Sequence, residues 1–218
     1  MQYIFAIPVL LFSVVVHEYA HGYTAYRAGD PTAMYAGRLT LNPIPHLDLV
    51  GSIIIPVFLL ISRSPFFIAW AKPVPINPLN FRNGRTDETR VALAGPVSNV
   101  ILAALFTIFG IVLGILFSPA TFIGNPVMGY LHMIIVYGVQ INVLLAVFNL
   151  IPVPPLDGSH ILRNMLPPDK RMMYEGLSRY GFIILMLLIV THIIDLILIP
   201  VWKISNVLIA LVNYSVFG

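Results

Sequence analysis

The sequence predicts an all-α polytopic membrane protein, with about four to six transmembrane helices and a re-entrant, possibly β-containing, segment after the first helix. Three observations carry that class. Of 218 residues, 58% are hydrophobic and 10% are charged, against about 25% charged in a soluble domain. The mean hydropathy is +0.90, more apolar surface than a soluble core of this size can hide, so lipid must solvate much of it. The charges are also segregated, and Val91 to Leu156 contains no Asp, Glu, Lys or Arg.

The elements follow in order. Tyr3 to Arg27 is apolar and uncharged before Glu18. It lacks a basic leader and a small-x-small cleavage site, so it reads as a retained first helix and not as a signal peptide. Ala28 to Asp48 is polar, with Asp30-Pro31 and Asn42-Pro43 as breakers, and Arg38 to Leu41 alternates as a short strand would. Val50 to Trp70 is apolar, but Pro56, Arg63 and Pro65 interrupt it. Its clean part, Gly51 to Ile61, falls short of the ~20 residues that a spanning helix needs. Ala71 to Arg90 reads as a loop. Val91 to Leu156 has room for two spans, split near Ser118 to Pro126. Asp157 to Arg179 is polar, and Tyr180 to Phe217 is apolar and broken at Pro200. The chain reads as one membrane domain, Met1–Gly218, with a core over residues 1–165 and a C-terminal helical segment over 180–217.

Positive charge orients the helices. If residues 50–70 enter and leave on one side, then Arg27 to Arg38, Lys72 to Arg90 and Arg163 to Arg179 share a side, and the positive-inside rule makes it cytoplasmic. The expected location is a cell membrane crossed several times, with the helix ends nearest His21 and Asp157 toward the cytoplasm. The net charge of +3 and pI near 9.3 therefore reflect orientation. No arginine stripe interleaved with aromatics suggests a nucleic-acid partner. The chain has no cysteine, which excludes disulfides and thiolate chemistry.

His17-Glu18-Tyr19-Ala20-His21 carries the chemistry. On a helix, residues four apart lie about 40° apart on one face, one turn from each other. Two imidazoles so placed bind one zinc, and the intervening Glu18 is set to act on water as a general base. With 6 His and few Glu in the chain, chance supplies such a pattern at a rate on the order of 0.2%. Each ionisable group on an apolar helix costs ~2.5 kcal/mol or more unless it is used.

A catalytic zinc takes three protein ligands. Asp157 is the carboxylate that stands out, at the end of the uncharged stretch in Asn149-Leu-Ile-Pro-Val-Pro-Pro-Leu-Asp157-Gly158. Prolines there break the helix at membrane depth, where irregular backbone must line a cavity. The bland alternative is that Asp157 caps a helix starting near Ser159.

Taken together, HEYAH on an apolar helix, Ala94-Gly95-Pro96-Val97-Ser98-Asn99 opening a later one, and Leu156-Asp157-Gly158 resemble the site-2 protease family of intramembrane metalloproteases. Asn42-Pro43 and Ala71-Lys72-Pro73-Val74-Pro75-Ile76-Asn77-Pro78 resemble its compact prokaryotic branch without PDZ or CBS domains. The likeness runs from about Ser13 to Leu162. Some relatives carry a further helix ahead of the catalytic one, which here comes first. The resemblance implies one Zn2+ per chain held by His17, His21 and Asp157, with Glu18 activating water. It further implies that Asn149 and Asn99 contact substrate or the oxyanion, Asn99 matching the asparagine of the GxxxN pattern after Gly95, and that the substrate is a transmembrane protein met within membrane lipid. The rival reading is a transporter with His17, Glu18, His21 and Asp157 as an ion or proton pathway; the sequence shows no internal repeat in its favour.

The remaining polar residues carry less. His46 and Asp48 read as solvent-facing turn residues. His132 calls for a hydrogen-bond partner, and His192 with Asp195 reads as a helix-end pair. Gly110 and Gly114 form a GxxxG suited to close helix packing.

Overall fold

The computed structural model describes residues 5–55, 58, 61–62 and 71–218. Their regular elements are helical: α1 (Ala6–Ala28), α2 (Thr32–Tyr35), α3 (Gly84–Leu116), α4 (Pro119–Gly124), α5 (Pro126–Asn149), α6 (Asp157–Met165), α7 (Pro168–Ser178), α8 (Gly181–Val190) and α9 (Ile193–Phe217). Short 3-10 turns lie at Ile44–His46 and Pro78–Asn80, and a π-helical turn at Leu49–Ile54. Among the described residues, α3, α5 and α9 are long and apolar enough to cross a membrane. The pair α7 and α8 passes the same test but bends by 71°. At 23 residues, α1 is also long enough. This is a polytopic all-α membrane protein.

Three apolar clusters set the helix directions. Ile194 packs with Ile151 and Leu156. Val201 packs with Ala103, Val139 and Val143. Val212 and Val216 pack with Leu113, Phe122 and Ile135. So α9 runs parallel to α3 and antiparallel to α5. Without a hydrophobic force between helices in lipid, small residues let the backbones approach. A Cβ at Gly110 would meet Val212, one at Gly114 would meet the Ser215 carbonyl, and one at Gly138 would meet the Phe106 ring, all under 3 Å. The expected GxxxG thus packs α3 against α9.

Four expectations are corrected. Residues 38–41 form no strand. The backbone there bends, and His46 Nε2 donates to the Thr40 carbonyl at 2.9 Å, where a ladder partner would stand. His46 is consequently buried, and its own carbonyl accepts from Lys72 N. Helix α3 starts at Gly84, inside the expected loop, so Ala94–Asn99 lies within it and does not open it. Its first turns are charged and escape a hydropathy reading, yet Asp87 caps them by accepting from Asn83 N and pairing with Arg90. The last block breaks at His192, whose φ is 58°, while Pro200 stays inside α9. His132 does pair with Asn213 and His192 with Asp195, both on exposed surface.

The re-entrant reading of residues 50–70 falls largely outside the described residues. Its flanks meet, however: Arg82 N donates to the Ala28 carbonyl at 3.1 Å. The chain therefore leaves and returns at one end of the bundle. Asp30 secures that return. Fully buried, its carboxylate accepts from Asn77 N and Asn80 Nδ2, both at 2.7 Å, and from the Thr32 amide and hydroxyl. Burial pushes the Asp30 carboxyl up, but these hydrogen bonds outweigh it and the net shift is downward. Its stabilisation is therefore complete above the ordinary carboxylate pKa of about 4 and is lost as pH falls through the lower folded value. Asp30→Asn should lower stability by about 2 kcal/mol at neutral pH and flatten the acid limb of a melting-temperature profile. An unchanged acid limb would refute this role.

Candidate active site

α1 places His17 and His21 one turn apart, with ring centroids 4.6 Å apart and the rings nearly perpendicular. The two Nε2 atoms are 3.0 Å apart. Asp157, the first residue of α6, brings its Oδ2 to 3.2 Å from His17 Nε2 and 3.3 Å from His21 Nε2. Three glycines make this possible. A Cβ at Gly95 on α3 would lie 2.3 Å from His21 Nε2 and 2.5 Å from His17 Nε2. One at Gly158 would lie 2.2 Å from the Leu150 carbonyl oxygen, where α6 turns back on the end of α5. A third, Gly22, lets Val74 and Ala33 close on α1, since its Cβ would sit 3.0 Å from the Val74 side chain.

The donor set fits a metal dication. His21 Nδ1 faces the Val91 carbonyl at 2.7 Å. A carbonyl only accepts, so Nδ1 carries the hydrogen and Nε2 presents a lone pair. His17 Nδ1 likewise donates to Asn99 Oδ1 at 2.6 Å. Asp157 Oδ2 is buried and has no hydrogen-bond partner among the described residues. Three acceptor atoms facing one another at 3.0–3.3 Å repel unless a cation lies between them. Donors ~2.1 Å from one tetrahedral ion stand ~3.4 Å apart, close to what is seen.

Around these atoms lies a cavity of about 360 Å³, which Glu18, Asn149, Glu88 and His160 also line. Glu18 is half-buried, and its Oε2 accepts from Val74 N at 2.8 Å. Pro73 and Pro75 have no N–H, so Val74 supplies the one amide donor in that triplet, and it aims the carboxylate. Asn149 spends one amide hydrogen on the Leu145 carbonyl, the local contact of a helix end, while its side chain lines the cavity.

Asn99 is placed differently from expectation. It is fully buried behind His17, with its oxygen on that ring and its nitrogen on Asn142 and the Ser13 carbonyl. Asn99 thus stands behind the His17 ring and is not among the residues lining the cavity. Conversely, sequence reasoning did not single out Glu88 and His160. Glu88 pairs with Arg163 and lies 3.6 Å from His160, and burial lowers the His160 pKa. The signal was available: His160 stands three residues after Asp157, on the same face of a helix that the sequence reading started at Ser159.

Gly95→Ala should reduce metal occupancy of the purified protein at least tenfold while leaving helix content unchanged, because the added methyl meets both imidazoles. Metal analysis together with circular dichroism checks this, and full occupancy in the variant would show the ligands are not held against Gly95.

A family model described as Peptidase family M50 matches residues 116–188, the stretch holding Asn149 and Asp157. The protein named "Putative zinc metalloprotease YwhC" of Bacillus subtilis is 37% identical over 203 residues, covering 90% of this chain and 84% of that one. A protein with the same descriptor, Rip2 of Mycolicibacterium smegmatis, is 30% identical over 192 residues, covering 87% and 68%. A shorter match, to MJ0611 of Methanocaldococcus jannaschii, is 38% identical over 77 residues. No solved structure matches the chain. The YwhC likeness covers nine-tenths of this chain at 37% identity, and on that ground the chain belongs to peptidase family M50, the site-2 protease family of membrane metalloproteases.

Proposed function

We propose that the protein is a zinc endopeptidase that hydrolyses peptide bonds within or beside transmembrane segments of membrane proteins, as in regulated intramembrane proteolysis or clearance of signal-peptide remnants. One observation carries this reading. His17 Nε2, His21 Nε2 and Asp157 Oδ2 converge in a cavity that Glu18 also lines, within a bundle of membrane-length helices. One domain spanning residues 1–218 accounts for it.

His17, His21 and Asp157 would hold the zinc. Bound there, it supplies Lewis acidity to the scissile carbonyl and acidifies water. The chain's own groups do the rest. Glu18 takes the proton from the attacking water and returns it to the leaving amine as the C–N bond breaks. Its hydrogen bond from Val74 leaves one carboxylate oxygen for that exchange. An intact substrate helix hides its carbonyls in hydrogen bonds, so the segment must unwind and find new backbone partners. The Asn149 amide retains a carbonyl oxygen and a second N–H after its bond to Leu145, which suits a backbone or oxyanion contact. Water reaches the site through the proline-broken stretch between Asn149 and Asp157.

Three variants test the roles, with zinc content, melting temperature and cleavage of a transmembrane reporter measured on each. Glu18→Gln should keep the metal and lose cleavage. His21→Ala should lose both. Asn149→Ala should keep metal and stability while cleavage falls by about 100-fold. Full cleavage by Glu18→Gln would sink the protease reading; wild-type turnover by Asn149→Ala would remove only the oxyanion role. Comparing membrane proteomes of wild type and Glu18→Gln would then identify substrates as accumulated stubs.

The metal site faces the cytoplasm in this reading. Arg27, Arg82, Arg85 and Arg90 cluster where α1 ends and α3 begins, and Asn164 of α6 bonds the Arg85 carbonyl at the same end. Single cysteines replacing Asn83 and Asp169 should both react with an impermeant thiol reagent from the cytoplasmic side only. Reaction from opposite sides would refute this topology.

A further inference from the structure

His17 and His21 reach the metal with Nε2 only if each keeps its hydrogen on Nδ1. For His21 a backbone carbonyl dictates that. For His17 the partner is an asparagine amide, which can present either an oxygen or an N–H. If Asn99 turned over, its nitrogen would face His17 Nδ1, the ring hydrogen would move to Nε2, and the ligand would be lost.

The structure assigns the decision to Asn142, on α5, with Ser13 on α1. This rests on the reading of His17 as a zinc ligand. Asn99 Nδ2 donates to Asn142 Oδ1 at 2.8 Å and points at the Ser13 carbonyl at 3.4 Å. Asn142 Nδ2 in turn donates to the Gly138 carbonyl at 2.8 Å and to Ser13 Oγ at 2.9 Å. Asn99, Asn142 and Ser13 are all fully buried.

The Gly138 carbonyl can only accept, so it fixes which end of the Asn142 amide is nitrogen. The Asn142 oxygen must then face Asn99, which fixes the second amide, and the Asn99 oxygen must face His17. A one-way chain of hydrogen bonds thus runs from a backbone carbonyl on α5 to the lone pair that binds the metal. Turning either amide would set oxygen against oxygen and nitrogen against nitrogen in a dry interior, where no water can repair the mismatch. Gly138 also admits the close approach of α3 and α5 that brings the two asparagines together, because a side chain there would strike Phe106. Asn142 is accordingly a positioning residue that acts on the metal through Asn99 and His17.

The test measures zinc affinity by chelator competition on the full-length chain in detergent. Asn142→Leu should weaken zinc by about 10–100-fold, the usual effect of losing a partner behind a ligand. Adding Asn99→Asp should restore most of that loss, because a carboxylate has an acceptor on both oxygens and cannot turn a donor toward His17. A packing defect would not be rescued this way, so a double variant as weak as Asn142→Leu overturns the inference, as does wild-type affinity in Asn142→Leu. His17→Ala separates the levels. If it keeps full zinc affinity, the ligand reading itself fails; if it loses zinc while Asn142→Leu does not, only the hydrogen-bond chain fails. Nitrogen-15 NMR of the metal-free wild type needs no variant: His17 should carry its hydrogen on Nδ1, and an Nε2-protonated ring would overturn the proposal.

Discussion

Everything in this molecule is arranged around three acceptor atoms that repel one another in an apolar surround. His17 Nε2, His21 Nε2 and Asp157 Oδ2 face each other at 3.0–3.3 Å. In water such a cluster would relax by rotating or protonating. Here each ring is pinned from behind, by Val91 or by Asn99, and Asp157 is fixed as the first residue of α6. The cluster is costly in isolation and stable with a cation, which is what a metal-binding protein requires of its folded state.

The membrane decides how the scaffold is built. Because lipid offers no hydrogen bonds, each buried polar group must find a partner within the bundle. Ser13, Asn99 and Asn142 satisfy one another across three helices at the level of the site. Glycines at 95, 110, 114 and 138 give the helices the close approach that such short bonds need. Backbone that is not helical is confined to places where protein or a cavity lines it, as in the Leu150 to Leu156 stretch that delivers Asp157.

The returning strap of residues 71–81 joins this interior to the polar end of the molecule. Asp30 holds its far end, His46 its beginning, and Glu18 its middle through Val74. Prolines leave few amide hydrogens in the strap, and those at 74 and 77 go to carboxylates. The Glu18 carboxylate is therefore oriented by a segment more than fifty residues away in the chain.

Much of this was legible in the sequence wherever the signal was local. Spacing of four in HEYAH places two imidazoles on one helix face in any helix, so those positions need no tertiary information. The uncharged run from Val91 to Leu156 is a direct readout of lipid solvation, and the prolines before Asp157 announce a break. What escaped was local order hidden by charge, as in the first turns of α3, and order made by contacts between distant residues. Residues 38–41 alternate like a strand yet have no ladder partner, and Pro200 sits within a helix because the break is taken up by His192. The chain by itself thus determined the solvent, the helical class and the two histidines with their glutamate. Only the tertiary structure decided that Asp157 Oδ2 meets both imidazoles at 3.2–3.3 Å, that Asn99 stands behind His17, and that Asn142 stands behind Asn99. Those facts depend on the directions of hydrogen bonds between residues 43 to 129 positions apart, which no periodicity along the chain records.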